Sequence, residues 1–158
     1  MRVFSGGDYV FGHTEYDFST QRIGFEVFCF EGEQTVEHWD NIQPGQGPNP
    51  SGRSMVDGPM EATDLELTES NRAHVQSFVA DVLIDRQLER LDHYVDAQSF
   101  TQHNPALVDG LDALHGALEA PFDDGYAVTY TTSHRVLAEG CFVLAVSEGF
   151  QRGVHSAF

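Results

Sequence analysis

Arg2-Val3-Phe4-Ser5-Gly6-Gly7-Asp8-Tyr9-Val10-Phe11 and Arg135-Val136-Leu137-Ala138-Glu139-Gly140-Cys141-Phe142-Val143-Leu144 are the two stretches that decide the fold. Shifted by 133 positions without a gap, the chain sets Arg2, Val3, Gly7, Val10, Glu15 and Phe25 on Arg135, Val136, Gly140, Val143, Glu148 and Phe158. Phe4 falls on Leu137, Tyr9 on Phe142 and Phe11 on Leu144. Any two glycine-turn hairpins with alternating apolar residues share part of this pattern, but an ungapped register over both strands favours duplication. The second copy stops at Phe158, whereas the first runs on through Glu26-Val27-Phe28-Cys29-Phe30 to His38-Trp39-Asp40.

Between the copies the chain changes character twice. Tyr9–Tyr16, Ile23–Phe30 and Thr35–Asp40 read as an antiparallel meander broken by turns such as Glu31-Gly32-Glu33. Residues 41–63 hold Pro44, Gly45, Gly47, Pro48, Pro50, Gly52, Gly58 and Pro59 and have no period, so they read as a linker or a long surface-hugging loop. From Thr68, a plausible N-cap, the period becomes helical, with Val75, Phe78, Val79, Val82 and Leu83 on one face. A shorter helix carries Leu88, Leu91, Tyr94 and Val95. Asp109-Gly110 opens a third with Leu111, Leu114 and Leu118, which Pro121 ends. Strands resume from Tyr126. The order is strands (1–40), linker (41–63), then helices and strands (64–158).

With 158 residues, 41% of them hydrophobic and 11% aromatic, one compact unit is expected. Twenty-five acidic residues stand against 8 basic ones, all Arg, for a net charge of −17. Such a surface repels phosphate, so nucleic acid and anionic membrane are excluded as partners. The excess fits either a high-salt cytoplasm or ordinary acidic drift in a genome that favours Arg over Lys. No apolar run nears the roughly 18 residues of a membrane helix, and the first residues lack a signal-peptide core, so a cytoplasmic location is the default expectation. Cys29 and Cys141 lie in apolar stretches and read as small buried hydrophobes, not as a disulfide.

The helix over Asn71–Asp85, the Gln102-His103-Asn104-Pro105 segment, the Asp109-Gly110 helix start, the hairpin over Arg135–Gly149 and a strand ending His38-Trp39-Asp40 together resemble the SnoaL-like branch of the nuclear transport factor 2-like superfamily. In that family the His-Trp-Asp strand comes last; here it comes first. The resemblance covers nearly the whole chain except the linker. It implies an α+β fold in which a cone-shaped, curved antiparallel sheet wraps around helices and leaves a mostly apolar pocket at its open end. Residues 64–158 would supply the helices and first long strands, and 26–40 the missing tail. A sheet lacking its last strands exposes an unpaired edge, which two arrangements repair: circular permutation within one chain, or exchange of strands between two chains. With one copy of the hairpin surplus to a single cone, a homodimer is expected either way.

Candidate chemistry follows from residue types. His103 and Asn104, between an extended stretch and Pro105, read either as a pair orienting a ligand oxygen, with His103 as acid or base, or as a loop-stabilising pair. His38 and Asp40 alternate on one strand and share a face. If that face is concave, Asp40 would take a proton from carbon while His38 steadies the oxyanion, the aspartate role that the resemblance to polyketide cyclases implies; otherwise the pair ends a solvated strand with Trp39 as core. Tyr9, Tyr16, Tyr130 and Trp39 are candidate ligand-contacting aromatics or plain core. No His-Glu-x-x-His, paired Cys-x-x-Cys, glycine-rich phosphate loop or Gly-x-Ser-x-Gly occurs, so no metal or cofactor is expected. The expectation is a cofactor-independent cyclase- or isomerase-type pocket for a small apolar carbonyl compound, or a non-catalytic ligand-binding or dimer-assembly module.

Overall fold

The alternation of apolar residues in the first forty positions folds as a four-stranded antiparallel sheet in chain order: β1 (Arg2–Gly6), β2 (Tyr9–Asp17), β3 (Gln21–Glu31) and β4 (Gln34–Pro44). This is seen in a computed structural model that describes residues 1–17 and 19–158. Three helices follow, α1 (Thr68–Phe78), α2 (Leu91–Tyr94) and α3 (Leu111–Glu119). A two-strand ribbon, β5 (Pro121–Phe122) and β6 (Gly125–Tyr126), leads into a second antiparallel sheet of β7 (Val128–Glu139), β8 (Phe142–Gln151) and β9 (Val154–Ala157). The fold is mixed α+β. No helix among the described residues is long and apolar enough to cross a membrane.

The two copies of the repeat are hairpins of one register. Phe4 opposes Phe11 in β1–β2, and Leu137 opposes Leu144 in β7–β8, each pair 133 positions from the other. Gly7 and Gly140 turn these hairpins with φ of 61° and 56°. In the following hairpin the copies part by one residue, since Glu15 opposes Ile23 but Glu148 opposes Ala157. The copies also face one another reciprocally. Arg2 lies over the Phe142 ring at 5.8 Å, while its counterpart Arg135 lies over Tyr9, the counterpart of Phe142, at 3.7 Å. Phe4, Phe11, Val27 and Leu137 bury together between the sheets.

The hairpin expected to be surplus thus packs against its own copy. No ladder joins the two sheets among the described residues: they meet at β1 and β7, where the Ser5 amide donates to Glu139 Oε2 at 2.7 Å. Residues 26–40 extend the first sheet instead of closing the second. At the far end, the Asn41 side chain donates to the Ala157 carbonyl.

The helices pack on β7 and β8. Val82, Leu88, Leu91 and Leu118 form a second core, and burying each such side chain contributes roughly 1.5–3 kcal/mol. α1 widens after Phe78 into a looser turn over Val79–Ile84, where the Asp85 amide reaches the Ala80 carbonyl. Thr68 is the first helical residue rather than the cap: its hydroxyl donates to the Leu65 carbonyl and accepts from the Gly140 amide. Gly140 is held closely, because a Cβ there would lie 2.0 Å from the Thr63 carbonyl oxygen. Cys141, expected to be buried, is exposed beside this turn with the Thr63 hydroxyl and amide on its sulfur, and Cys29 is half-buried; both are free.

A cavity with an ionisable wall

Inward-facing residues of β1, β2 and β3 (Phe4, Phe11, Ile23 and Phe25), with Phe142 and Leu144 of β8, wall a cavity of about 520 Å³. That volume suits a small organic molecule. Two loops cover it. The first, residues 45–64, holds most of the linker expected over 41–63, whose first four residues instead continue β4 to Pro44, and it is bound down through Asn49. The buried Asn49 side chain accepts from the Ser51 and Arg53 amides at 2.9 Å each and donates to the Gln102 carbonyl at 2.7 Å. The second loop, residues 95–110, is fixed by Asp109, which accepts from the Gln102 amide and from Arg53 Nε. Those bonds, the amide's foremost, hold the Asp109 carboxyl below its usual range. Gln102 Oε1 then accepts from the amides of His103 and Asn104, setting both residues at the cavity.

The ionisable part of the wall is Arg2, His13, Asp57 and His103. Arg2 reaches across the covering loop, donating to the Pro59 carbonyl at 2.9 Å, to the Asp57 carbonyl at 2.6 Å and to His13 Nδ1 at 2.9 Å. A guanidinium only donates, so His13 Nδ1 accepts and its proton sits on Nε2. That Nε2 is buried and has no partner among the described residues, while the ring stacks on Phe25 at 4.5 Å. Burial first, then the positive charge of Arg2, lowers the His13 pKa from 6.5 to about 4. His13 is therefore a neutral N–H donor near pH 7.

His103 has the complementary tautomer. Its Nδ1 donates to the Ser54 carbonyl at 2.9 Å, with Asp57 Oδ1 2.7 Å from the same nitrogen, which leaves the lone pair of the neutral ring on Nε2. The Ser54 carbonyl fixes the ring's orientation, and the Asp57 carboxylate lies beside it as a counter-charge. The cavity thus joins a neutral donor, a cation and a carboxylate-backed base in an apolar setting.

The structure does not bring His38 and Asp40 to this wall. A bulge in the β3–β4 ladder pairs Phe30 with Thr35 but Cys29 with Glu37, leaving Val36 as the extra residue. Past it, Phe28 opposes His38 and Glu26 opposes Asp40, so both side chains share the outer face with Glu26, away from Phe25, Val27 and the cavity. Asp40 is exposed. His38 and Asp40 are therefore separated from His103 by the sheet.

Of the candidate aromatics, Tyr9 and Trp39 face inward beyond the cavity, with the Arg135 guanidinium over both rings. Tyr130 packs against the helical core and Phe158. Tyr16 donates to Glu26 on the outer face. Only His103 and Asn104 of the expected site line the cavity. Arg2, His13 and Asp57 were missed, although His13 follows Tyr9 and Phe11 in the inward row of β2, where a polar residue among aromatics is itself a signal. Compared with protein-family models, curated proteins and solved structures, the chain matches none.

Proposed function

We propose that the cavity takes a small, mostly apolar compound bearing a carbonyl oxygen, and that the chain is a SnoaL-like pocket protein in permuted order. In this reading it moves a proton on that compound without a resident cofactor, as a cyclase or isomerase does. The observation that carries the reading is the buried His13 Nε2–H, which has no partner among the described residues. An unmet buried donor costs roughly 1–3 kcal/mol, which a ligand oxygen recovers. With the carbonyl on His13 and beside Arg2, His103 Nε2 removes a proton from the adjacent carbon. The electron pair moves to oxygen, and the imidazolium rests against Asp57. In a β,γ-unsaturated compound, return of the proton from His103 to the γ-carbon of the dienolate completes an isomerisation; in a dicarbonyl compound, the enolate carbon attacks the second carbonyl, and His103 returns the proton to the alkoxide as the ring closes.

The test is deuterium uptake from D₂O into small cyclic ketones, followed by NMR, for the wild type and His103→Asn. Uptake lost in the variant supports proton transfer. Saturable binding with equal, background uptake in both proteins assigns a non-catalytic binding module, and no binding by any ketone sinks the reading. Self-association belongs to the same proposal. β4 is an eleven-residue edge strand exposed over nearly its whole length, with Val36, Trp39 and Ile42 each 45% exposed, a surface that favours pairing with a second chain. Light scattering giving a homodimer supports it; a monomer at high concentration refutes it.

A further inference from the structure

On the outer face of the first sheet lies a cluster that the cavity reading does not use. Glu26, His38 and Asp40 each offer one ligand atom, and the three atoms lie within 4.8 Å of one another. Glu26 is only 4% exposed, and its sole ion-pair partner among the described residues is the His38 imidazole, with Nε2 to Oε2 at 2.8 Å. A buried carboxylate needs a counter-charge. The site has the supports of a built ligand set. Tyr16 donates to Glu26 Oε1 at 2.7 Å and leaves Oε2 turned to His38. The His38 ring lies flat on Phe28, 4.3 Å away and 8° from parallel. Gly24 leaves room for the carboxylate: a Cβ there would sit 2.6 Å from Glu26 Oε1 and 2.8 Å from Thr14 Oγ1.

We propose that Glu26, His38 and Asp40 bind a divalent transition metal of the zinc class on the outer face of β3 and β4. One imidazole nitrogen and two carboxylate oxygens are zinc donors, and the two negative charges neutralise the ion. Bonds of about 2.0–2.2 Å set tetrahedral ligand atoms about 3.3 Å apart, so the cluster reaches this geometry by side-chain rotation on a fixed ladder. The fourth position stays open to water. Tyr16 is a positioning residue that holds Glu26 through its second oxygen. The site lies on the opposite face of the sheet from His13, so its fate is independent of the cavity reading.

The test is titration of chelator-treated full-length protein with Zn²⁺ by calorimetry, repeated with Co²⁺ by visible absorption. It is run at about 1 M KCl, where exposed charges more than about 3 Å apart are screened. One saturable site per chain is expected, weakened at least tenfold by His38→Ala and by Asp40→Asn, with circular dichroism checking that each variant folds; Asp40→Asn leaves the Glu26–His38 pair in place. Tyr16→Phe weakens it about tenfold. His155→Ala leaves it unchanged, although His155 and His134 contact Glu148 at 3.4 and 3.3 Å on the other sheet. Absence of a saturable site, or binding indifferent to both His38→Ala and Asp40→Asn, overturns the proposal.

Discussion

Lowering the pH from 7 to 4 loads the unfolded chain with a proton at His13 that the folded protein refuses. The group titrates at 6.5 when unfolded and at about 4 in the fold, first because burial removes water from the ring, then because Arg2 lies against it. A folded pKa below the unfolded value means that the unfolded state binds more protons between those pH values, so stability falls as the pH falls through that window. Integrated over it, the loss is about 3 kcal/mol, at about 1.4 kcal/mol per pH unit where the slope is steepest. Hydrogen bonds hold the carboxyls of Asp109, Asp96 and Glu148 below their usual range, so these groups also cost stability in acid. The comparison is therefore differential: urea unfolding of the wild type and His13→Gln at several pH values and constant salt. The wild type should lose about 3 kcal/mol more than the variant between pH 7 and 4. Equal losses in the two proteins, or a His13 ring that titrates near 6.5 by NMR, would refute the buried, neutral imidazole.

Three further outcomes follow from packing and charge. Gly24→Ala places a methyl 2.6 Å from Glu26 Oε1 and 2.8 Å from Tyr16 Cε2, and should cost about 1–3 kcal/mol in urea unfolding. Phe11→Ala removes a ring from the core shared by both sheets and should cost about 3–5 kcal/mol, with both hairpins losing hydrogen-exchange protection together. At a net charge of −17, stability should rise with KCl as self-repulsion is screened. Unfolding below about molar salt is what adaptation to a salty cytoplasm requires, whereas a midpoint indifferent to salt assigns the acidic excess to composition.

The repeat was the most legible feature, because strand alternation and a glycine turn are local and the 133-residue register carries over into the ladders. The three helices and the strands after Tyr126 were legible for the same reason. What the sequence hid was set by single-residue events and by contacts between distant segments. Without the β3–β4 bulge, the tight turn after Glu31 would set His38 opposite Val27, on the core side, which is the placement the concave-face reading needs. One extra residue, Val36, turns both polar side chains to the outer face and brings Asp40 to Glu26 instead. The covering loop looked like a linker because Pro and Gly erase any period, yet Asn49 ties it to Gln102, Arg53 to Asp109 and Ser54 to His103, which together place Asp57 against His103. Tyr130 shows the opposite limit: an aromatic on a strand facing helices is core, and its strand gave no sign of which face they would cover.

The most direct measurement of the central claim is the side-chain ¹H–¹⁵N NMR spectrum of the histidines at pH 7, recorded with a small apolar ketone and with the hydrocarbon of the same shape. The account predicts His13 protonated at Nε2 and His103 at Nδ1. It also predicts a saturable shift of the His13 Nε2–H signal with the ketone and none with the hydrocarbon. A His13 ring protonated at Nδ1, or one whose signal ignores the ketone while other cavity residues respond, would contradict it.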